Sequence, residues 1–161
     1  MNSVGPNGET PILDVVQDKN FELVKFLIPK LEKLDSRNEF GISVLHLAVA
    51  NFDIFNEIYL NQLSKINPNL LDQNGRSALH WICNEEMVKN NDVSDEERFL
   101  IVMKLLTIMS NVVVDHKDIT GKAPLQYAIQ FRNAKIIKLL RKQQLGPKRK
   151  ATREPKSKRF K

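Results

Sequence analysis

The stretch Gly75–Cys83, GRSALHWIC, sets a histidine beside a tryptophan and the chain's only cysteine. A thiol nucleophile with an imidazole base, or a ligand pair for a metal, is the chemistry such residue types can do. One cysteine closes no intrachain disulfide, and it excludes a cysteine-rich zinc site, which needs several ligands at short spacing. His46 stands in a second copy of the same pattern, GISVLHLAV, again immediately after a leucine. A catalytic residue rarely comes in copies at a repeat period, so His80 and His46 are expected to share a structural role. The third histidine, His116, lies in VDHKD with Asp115 and Asp118, which reads as an exposed loop rather than a metal site. Asp92, Asp95, Glu96 and Glu97 offer either a basic-ligand site or, preferred here, solvated acids placed favourably at a helix N-terminus. No phosphate-cradling glycine loop and no carboxylates paired on one face emerge. No catalytic, cofactor or metal residue is therefore assigned.

The elements that position these residues repeat. Glycines 8, 41, 75 and 121 each sit two residues before a small or hydroxyl residue and an apolar pair, at intervals of 33, 34 and 46 residues. A second motif follows each: LVKFL from Leu23, VMKLL from Val102, IIKLL from Ile136, and a looser IFNEIYL from Ile54. Ser77 and Val102 are 25 positions apart, whereas Thr10–Leu23 and Ala123–Ile136 each span 13, so the third unit carries a 12-residue insertion. Each unit reads as turn, short helix, loop, longer helix. The glycine supplies positive φ, Thr10, Ser43 and Ser77 are N-caps, and Pro11 and Pro124 fit the first helical position. Leu23, Phe26 and Leu27, then Ile136, Leu139 and Leu140, mark the apolar stripe of the second helices. Truncating Leu105 or Leu139 in that stripe is expected to cost about 2–5 kcal/mol, and Lys158→Ala nothing measurable. In the third unit SDEE from Ser94 is a capping box that starts a helix near Asp95 and carries it to about Ile108. The inserted residues before it, Asn84 to Val93, are expected to be an exposed loop.

A period near 33 with T-P-L-H-like residues after a glycine turn resembles the ankyrin repeat, and GISVLHLAV and GRSALHWIC carry the likeness. It covers roughly residues 7–142, in units near 7–38, 39–72, 73–118 and 119–142 with the insertion at about 84–95. The resemblance implies an all-α solenoid of four helix-turn-helix units with short hairpin-like turns, used to bind other proteins. It also implies that His46 and His80 hydrogen-bond the finger to the helix. Leu13 and Gln126 depart from the pattern at the histidine position. Cys83 falls where other units place Val16, Val49 and Ile129, and so reads as a small buried hydrophobe. Trp81 corresponds to Leu47 and Tyr127; its ring either packs on the neighbouring repeat, the favoured reading, or lines the concave face. The turn tips are the expected partner-binding residues: Phe40, Arg76, Ile119 and Lys122, with Asp72 and Lys117 beside them.

The net charge of +6 is unevenly placed. Residues 147–161 hold eight Lys/Arg and one acid, while residues 1–146 hold 17 and 18. Residues 1–146 are thus read as the repeat domain and 147–161 as a basic tail too polar to order itself. Two clusters, Lys148, Arg149 and Lys150, then Lys156, Lys158 and Arg159, with Arg153 between, look like a nuclear localisation signal read by an import receptor. A phosphate-binding arm and a solubilising end are the other readings. Lys135, Lys138 and Lys142 share a face of the last helix, the polar cap a final repeat requires. The N-terminus lacks a basic and an apolar signal region and no apolar run reaches 18 residues, which points to an intracellular, soluble chain. The expected function is a nuclear protein-binding module, with shuttling to the cytoplasm open to it, similar to the I-kappa-B proteins that bind transcription factors. The alternative is a chromatin, ribosome-assembly or nucleic-acid factor acting through its tail. It is expected to work without a membrane or cofactor, as a monomer or one half of a heterocomplex.

Overall fold

The structure, a computed structural model, describes residues 11–88 and 93–145. In chain order the helices are α1 (Pro11–Gln17), α2 (Phe21–Leu27), α3 (Val44–Ala48), α4 (Phe52–Asn61), α5 (Ala78–Cys83), α6 (Glu85–Val88), α7 (Asp95–Ile108), α8 (Asn111–Val114), α9 (Pro124–Gln130) and α10 (Ala134–Gln144). Among the described residues there is no strand; one antiparallel bridge, Arg37 to Ser43, pinches a turn. No described helix is long and apolar enough to cross a membrane.

Local signals account for where the helices start. Pro124 occupies the first turn of α9, where its missing amide proton leaves nothing unbonded. Pro11 opens α1 in the same way. The second helices carry a signal that the hydroxyl-based reading passed over. Asn20, Asn51 and Asn133 each accept the backbone N–H three residues on, from Leu23, Ile54 and Ile136 at 3.0–3.1 Å. In the third unit Ser94 replaces the asparagine, and Glu97 reaches back to the Ser94 N–H at 2.8 Å. The capping box therefore starts α7 at Asp95, and the helix runs to Ile108 as its apolar spacing indicates.

Four helix pairs stack side by side. Helices α1, α3, α5 and α9 contact one another in that order as an inner layer, and α2, α4, α7 and α10 form the outer layer. One continuous core runs between the layers, with Val24, Ile54, Ile58, Leu79, Ile101, Leu105 and Ile136 fully buried along it. The architecture is an all-α repeat solenoid, stabilised by contacts between neighbours rather than by any one pair.

Two expectations are corrected. In α2 the buried positions are Val24 and, just beyond the helix, Ile28, whereas Leu23 and Phe26 are exposed. Leu23 is equivalent to Ile54 and Ile136, which are fully buried in units that have a pair before them; among the described residues no pair precedes α1–α2. Ile129 shows the mirror-image effect at the other end: it is exposed where Val16, Val49 and Cys83 are buried, and among the described residues no pair follows α9–α10. Second, the insertion is not simply an exposed loop. Asn84, Val88 and Val93 are buried, and residues 85–88 form α6, held to α7 by a 3.0 Å ion pair between Arg98 and Glu85. Its apolar residues find cover against α5, which an extended loop would forgo. Residues 89–92, including Asp92, lie outside the described residues.

Candidate protein-binding face

The turns preceding α3, α5 and α9 are built alike. Asn38, Asp72 and Asp118 each accept two backbone N–H groups through Oδ1: from Phe40 and Ile42, from Asn74 and Arg76, and from Thr120 and Lys122. Each turn closes on a glycine of positive φ, +72° at Gly41, +70° at Gly75 and +78° at Gly121. Gly41 is needed twice over, since a Cβ there would lie 3.1 Å from the Gln73 nitrogen. The fingers also bond to one another: Gln73 N–H donates to Phe40 O at 2.9 Å, and Ile119 N–H to Asn74 O at 3.0 Å. The turn before α1, with Gly8 and Thr10, lies outside the described residues.

The histidines lock this array. Nδ1 of His46 accepts the Ser43 N–H at 3.2 Å, so the ring proton sits on Nε2 and is donated to Arg76 O at 2.9 Å. His80 repeats the arrangement with the Ser77 N–H at 3.1 Å and Lys122 O at 3.2 Å. The bonds expected within a unit are present, and Nε2 adds a bond to the next finger. Burial lowers the pKa of both rings, that of His80 to about 4, although Asp118 and the carbonyls of Lys122 and His116 pull the other way. Neutral, doubly bonded imidazoles have no lone pair to offer a substrate. Burial also pushes the Cys83 thiol up to about 12 against the Arg98 cation, which leaves it an inert core residue. His116 is half-buried, its ring edge-on to His80 at 6.4 Å.

A second repeated device ties each finger to its helix. Trp81 Nε1–H donates to Asp72 Oδ2 at 3.1 Å, and the Tyr127 hydroxyl to Asp118 Oδ2 at 2.6 Å. Where the finger residue is Asn38, which has no second carboxylate oxygen, the helix carries Leu47. The rings also reach back, Trp81 edge-on to His46 at 5.4 Å and Tyr127 to His80 at 6.2 Å. Trp81 thus packs on the neighbouring repeat. Burial pushes the Asp118 carboxyl up, but hydrogen bonds from Thr120, Tyr127 and Lys122 outweigh it and hold the pKa at about 2.

These bonds sort the expected partner-binding residues. Asp72 is withdrawn from the partner surface: its side chain is 1% exposed and is taken up by Arg76, Trp81 and the finger amides. Arg76, 20% exposed, is held by Asp72 at 2.9 Å, lies over the Trp81 ring and touches Met87 Sδ at 3.6 Å. Lys122 is half-buried over Tyr127 and donates to Gln130 Oε1 at 2.8 Å. Lys117 is exposed. Phe40 and Ile119 are 55% and 73% exposed, on the two fingers that flank the one carrying Gly75. The localisation residues Lys148, Arg149, Lys150, Arg153, Lys156, Lys158 and Arg159 lie outside the described residues.

Beside Arg76 the inner layer opens into a cleft of about 150 Å³, lined by Val16, Gln17, Leu47, Asn51, Trp81 and Met87 among others. Met87 belongs to α6, so the insertion supplies one wall. A family model for ankyrin repeats matches residues 45–151, in three copies. The chain belongs to the ankyrin-repeat family. No curated protein matches it. The ankyrin match leaves α1 and α2 outside, yet α1 packs on α3 and α2 on α4, so the first pair extends the same array. Ankyrin arrays are protein-protein interaction modules. Sequence reasoning missed the cleft, because only the pairing of α6 with α5 brings Met87 to Trp81.

Proposed function

We propose that this ankyrin array is a non-catalytic nuclear adaptor, similar in kind to the I-kappa-B inhibitors, that captures one transcription-related protein. The observation that carries the reading is Phe40 and Ile119 held exposed on two fingers, each bonded through its backbone to the finger between them. Exposed apolar side chains on a pre-ordered row lose little freedom on association, so their burial is nearly all gain. The cleft beside Arg76 takes one apolar side chain of the partner; a cavity of this volume accommodates a group the size of a benzene ring. The buried thiol and the neutral, fully bonded imidazoles support a binding role over a catalytic one. Nuclear entry is assigned to the basic clusters of residues 148–159, which suit an import receptor that reads extended lysines and arginines.

The test is affinity capture from nuclear extract with the intact chain, a Phe40→Ala/Ile119→Ala variant and a Met87→Lys variant. A stoichiometric protein retained by the intact chain and lost from both variants supports the reading. Undiminished retention by the double variant, with its melting curve unchanged, refutes the finger assignment. A fluorescent fusion that stays nuclear after deletion of residues 147–161 refutes the import role.

A further inference from the structure

We propose that the cleft beside Arg76 receives an aromatic side chain of the protein partner while the Arg76 guanidinium holds a carboxylate next to it, so that the captured segment is an aromatic residue with an acidic neighbour. The inference rests on the reading of the array as a protein-binding module and specifies what one of its surfaces takes. At about 150 Å³ the cleft is smaller than the roughly 300–1,000 Å³ of a site for a free small molecule, and it suits a single side chain. Its apolar walls are Val16, Leu47, Trp81 and Met87. Indole and thioether surfaces favour a ring over a branched aliphatic chain: aromatic pairs gain from edge-to-face contact, and a methionine sulfur packs well at a ring edge.

Arg76 stands where two of these walls meet. Its guanidinium carbon lies 5.9 Å from the centre of the Trp81 ring, and its Nη1 is 3.6 Å from Met87 Sδ. Nε donates to Asp72 Oδ2, and Nη2 has no hydrogen-bond partner among the described residues. Asp72 needs nothing more from it, since Trp81 Nε1–H and the N–H groups of Asn74 and Arg76 supply its other bonds. A guanidinium held on its Nε side by a buried carboxylate keeps its Nη2 donors for a second one, and 20% exposure leaves the side chain within reach. Among the described residues no acid lines the cleft, and the charged side chain of the lining, Lys19, is a cation. The sign of the site thus favours an acidic segment over a basic one. On the rim Asn51 uses Oδ1 for the Ile54 N–H and keeps its amide donors, and Gln17 is exposed, so both can bond the backbone of an extended peptide.

Trp81 is the chain's only tryptophan and lines the cleft, so its emission reports occupancy without a label. The intact chain is titrated with the peptide acetyl-Ala-Asp-Phe-Asp-Ala-amide, whose phenylalanine does not absorb where tryptophan is excited. A saturable change in emission with a dissociation constant of about 1 mM or tighter is expected. Replacing both peptide aspartates by asparagine, or the phenylalanine by leucine, should weaken binding about three- to tenfold. Arg76→Lys keeps a cation beside Asp72 but offers no fork; it should erase most of the difference between the aspartate and asparagine peptides while the preference for phenylalanine over leucine stays. Met87→Glu, with an unchanged melting curve, sets a carboxylate in the wall beside Arg76 and should abolish the response. Equal affinity of the intact chain for the aspartate and asparagine peptides overturns the proposal, and so does equal affinity for the phenylalanine and leucine peptides. No emission change up to about 10 mM peptide overturns it as well, as does tighter binding of acetyl-Ala-Asn-Phe with a free C-terminal carboxylate. A partner that is captured through Phe40 and Ile119 and still retained by Met87→Glu would leave the adaptor reading standing and sink this one.

Discussion

Nε2 of His46 lies 2.9 Å from the carbonyl oxygen of Arg76, thirty residues on, and this bond ties one repeat to the finger of the next. Arg76 O already accepts the Asp72 N–H, so the histidine completes its second lone pair. Loss of the ring leaves that lone pair and the Ser43 N–H unsatisfied in a buried place. His46→Ala is therefore expected to cost about 2–4 kcal/mol. The α9–α10 unit points to a milder change: Gln126 Oε1 accepts the Ala123 N–H at 2.8 Å and does the work of Nδ1. His46→Gln should lose roughly half as much. Urea denaturation of both variants checks the order; equal losses would mean that glutamine at position 46 does not hold the Ser43 N–H, and no loss in His46→Gln would mean that the bond to Arg76 O contributes nothing.

Acid should loosen the array before it protonates the carboxylates. The folded pKa of His80, about 4, lies below the unfolded value of 6.5, because burial penalises the charged ring. As pH falls the unfolded chain takes up the proton first. The stability contributed by the neutral ring is thus complete above pH 6.5 and declines down to about pH 4, by about 3 kcal/mol for His80, with His46 adding in the same direction. Asp118 acts lower: its pKa of about 2 lies under the ordinary 3.8, so its contribution is present above that value and is lost as pH drops toward 2. Denaturation midpoints at neutral pH and near pH 4.5, for the native chain and His80→Gln, measure this. The variant should show the smaller fall.

The apolar stripe is uneven, and truncation should reveal it. Leu105 is fully buried between the layers, and Leu105→Ala is expected to cost about 3–5 kcal/mol. Leu139 is only half-buried, so Leu139→Ala should cost about 1–2 kcal/mol rather than an equal amount. Phe26 is exposed beneath the Lys30 ammonium, and Phe26→Ala should change stability by less than about 1 kcal/mol. Thermal melts of the three rank them.

Arg132 holds φ of +58° in the turn between α9 and α10, a left-handed conformation that costs a side chain with a Cβ about 1–2 kcal/mol. Glycine adopts it freely but loses more entropy on folding. Arg132→Gly should therefore stabilise the chain by a net of about 0.5–1 kcal/mol, seen as a raised melting midpoint. A lowered midpoint would show that the arginine side chain contributes a contact worth more than the strain.

Much that is local was legible in the residues alone, namely the turns at Gly41, Gly75 and Gly121, the Ser94 capping box and the length of α7, the shared role of the two histidines, and the burial of Cys83, whereas the asparagine caps of α2, α4 and α10 and the short helix α6 were not. Such features depend on a dozen residues or fewer, and a hydrogen-bonding side chain or a positive φ acts at that range. What tertiary structure decided are the features that need a neighbour about thirty positions away. Leu23 is exposed and Ile136 buried, though both occupy one repeat position, because among the described residues only Ile136 has a helix pair before its own. Asp72 looked like a surface acid until Trp81 and Arg76 closed on its second oxygen. Met87 became a cleft wall only when α6 folded back on α5. A linear pattern specifies which side of a helix is apolar; which part of that side meets another helix is settled by the stacking of the units, and so is the surface left over for a partner.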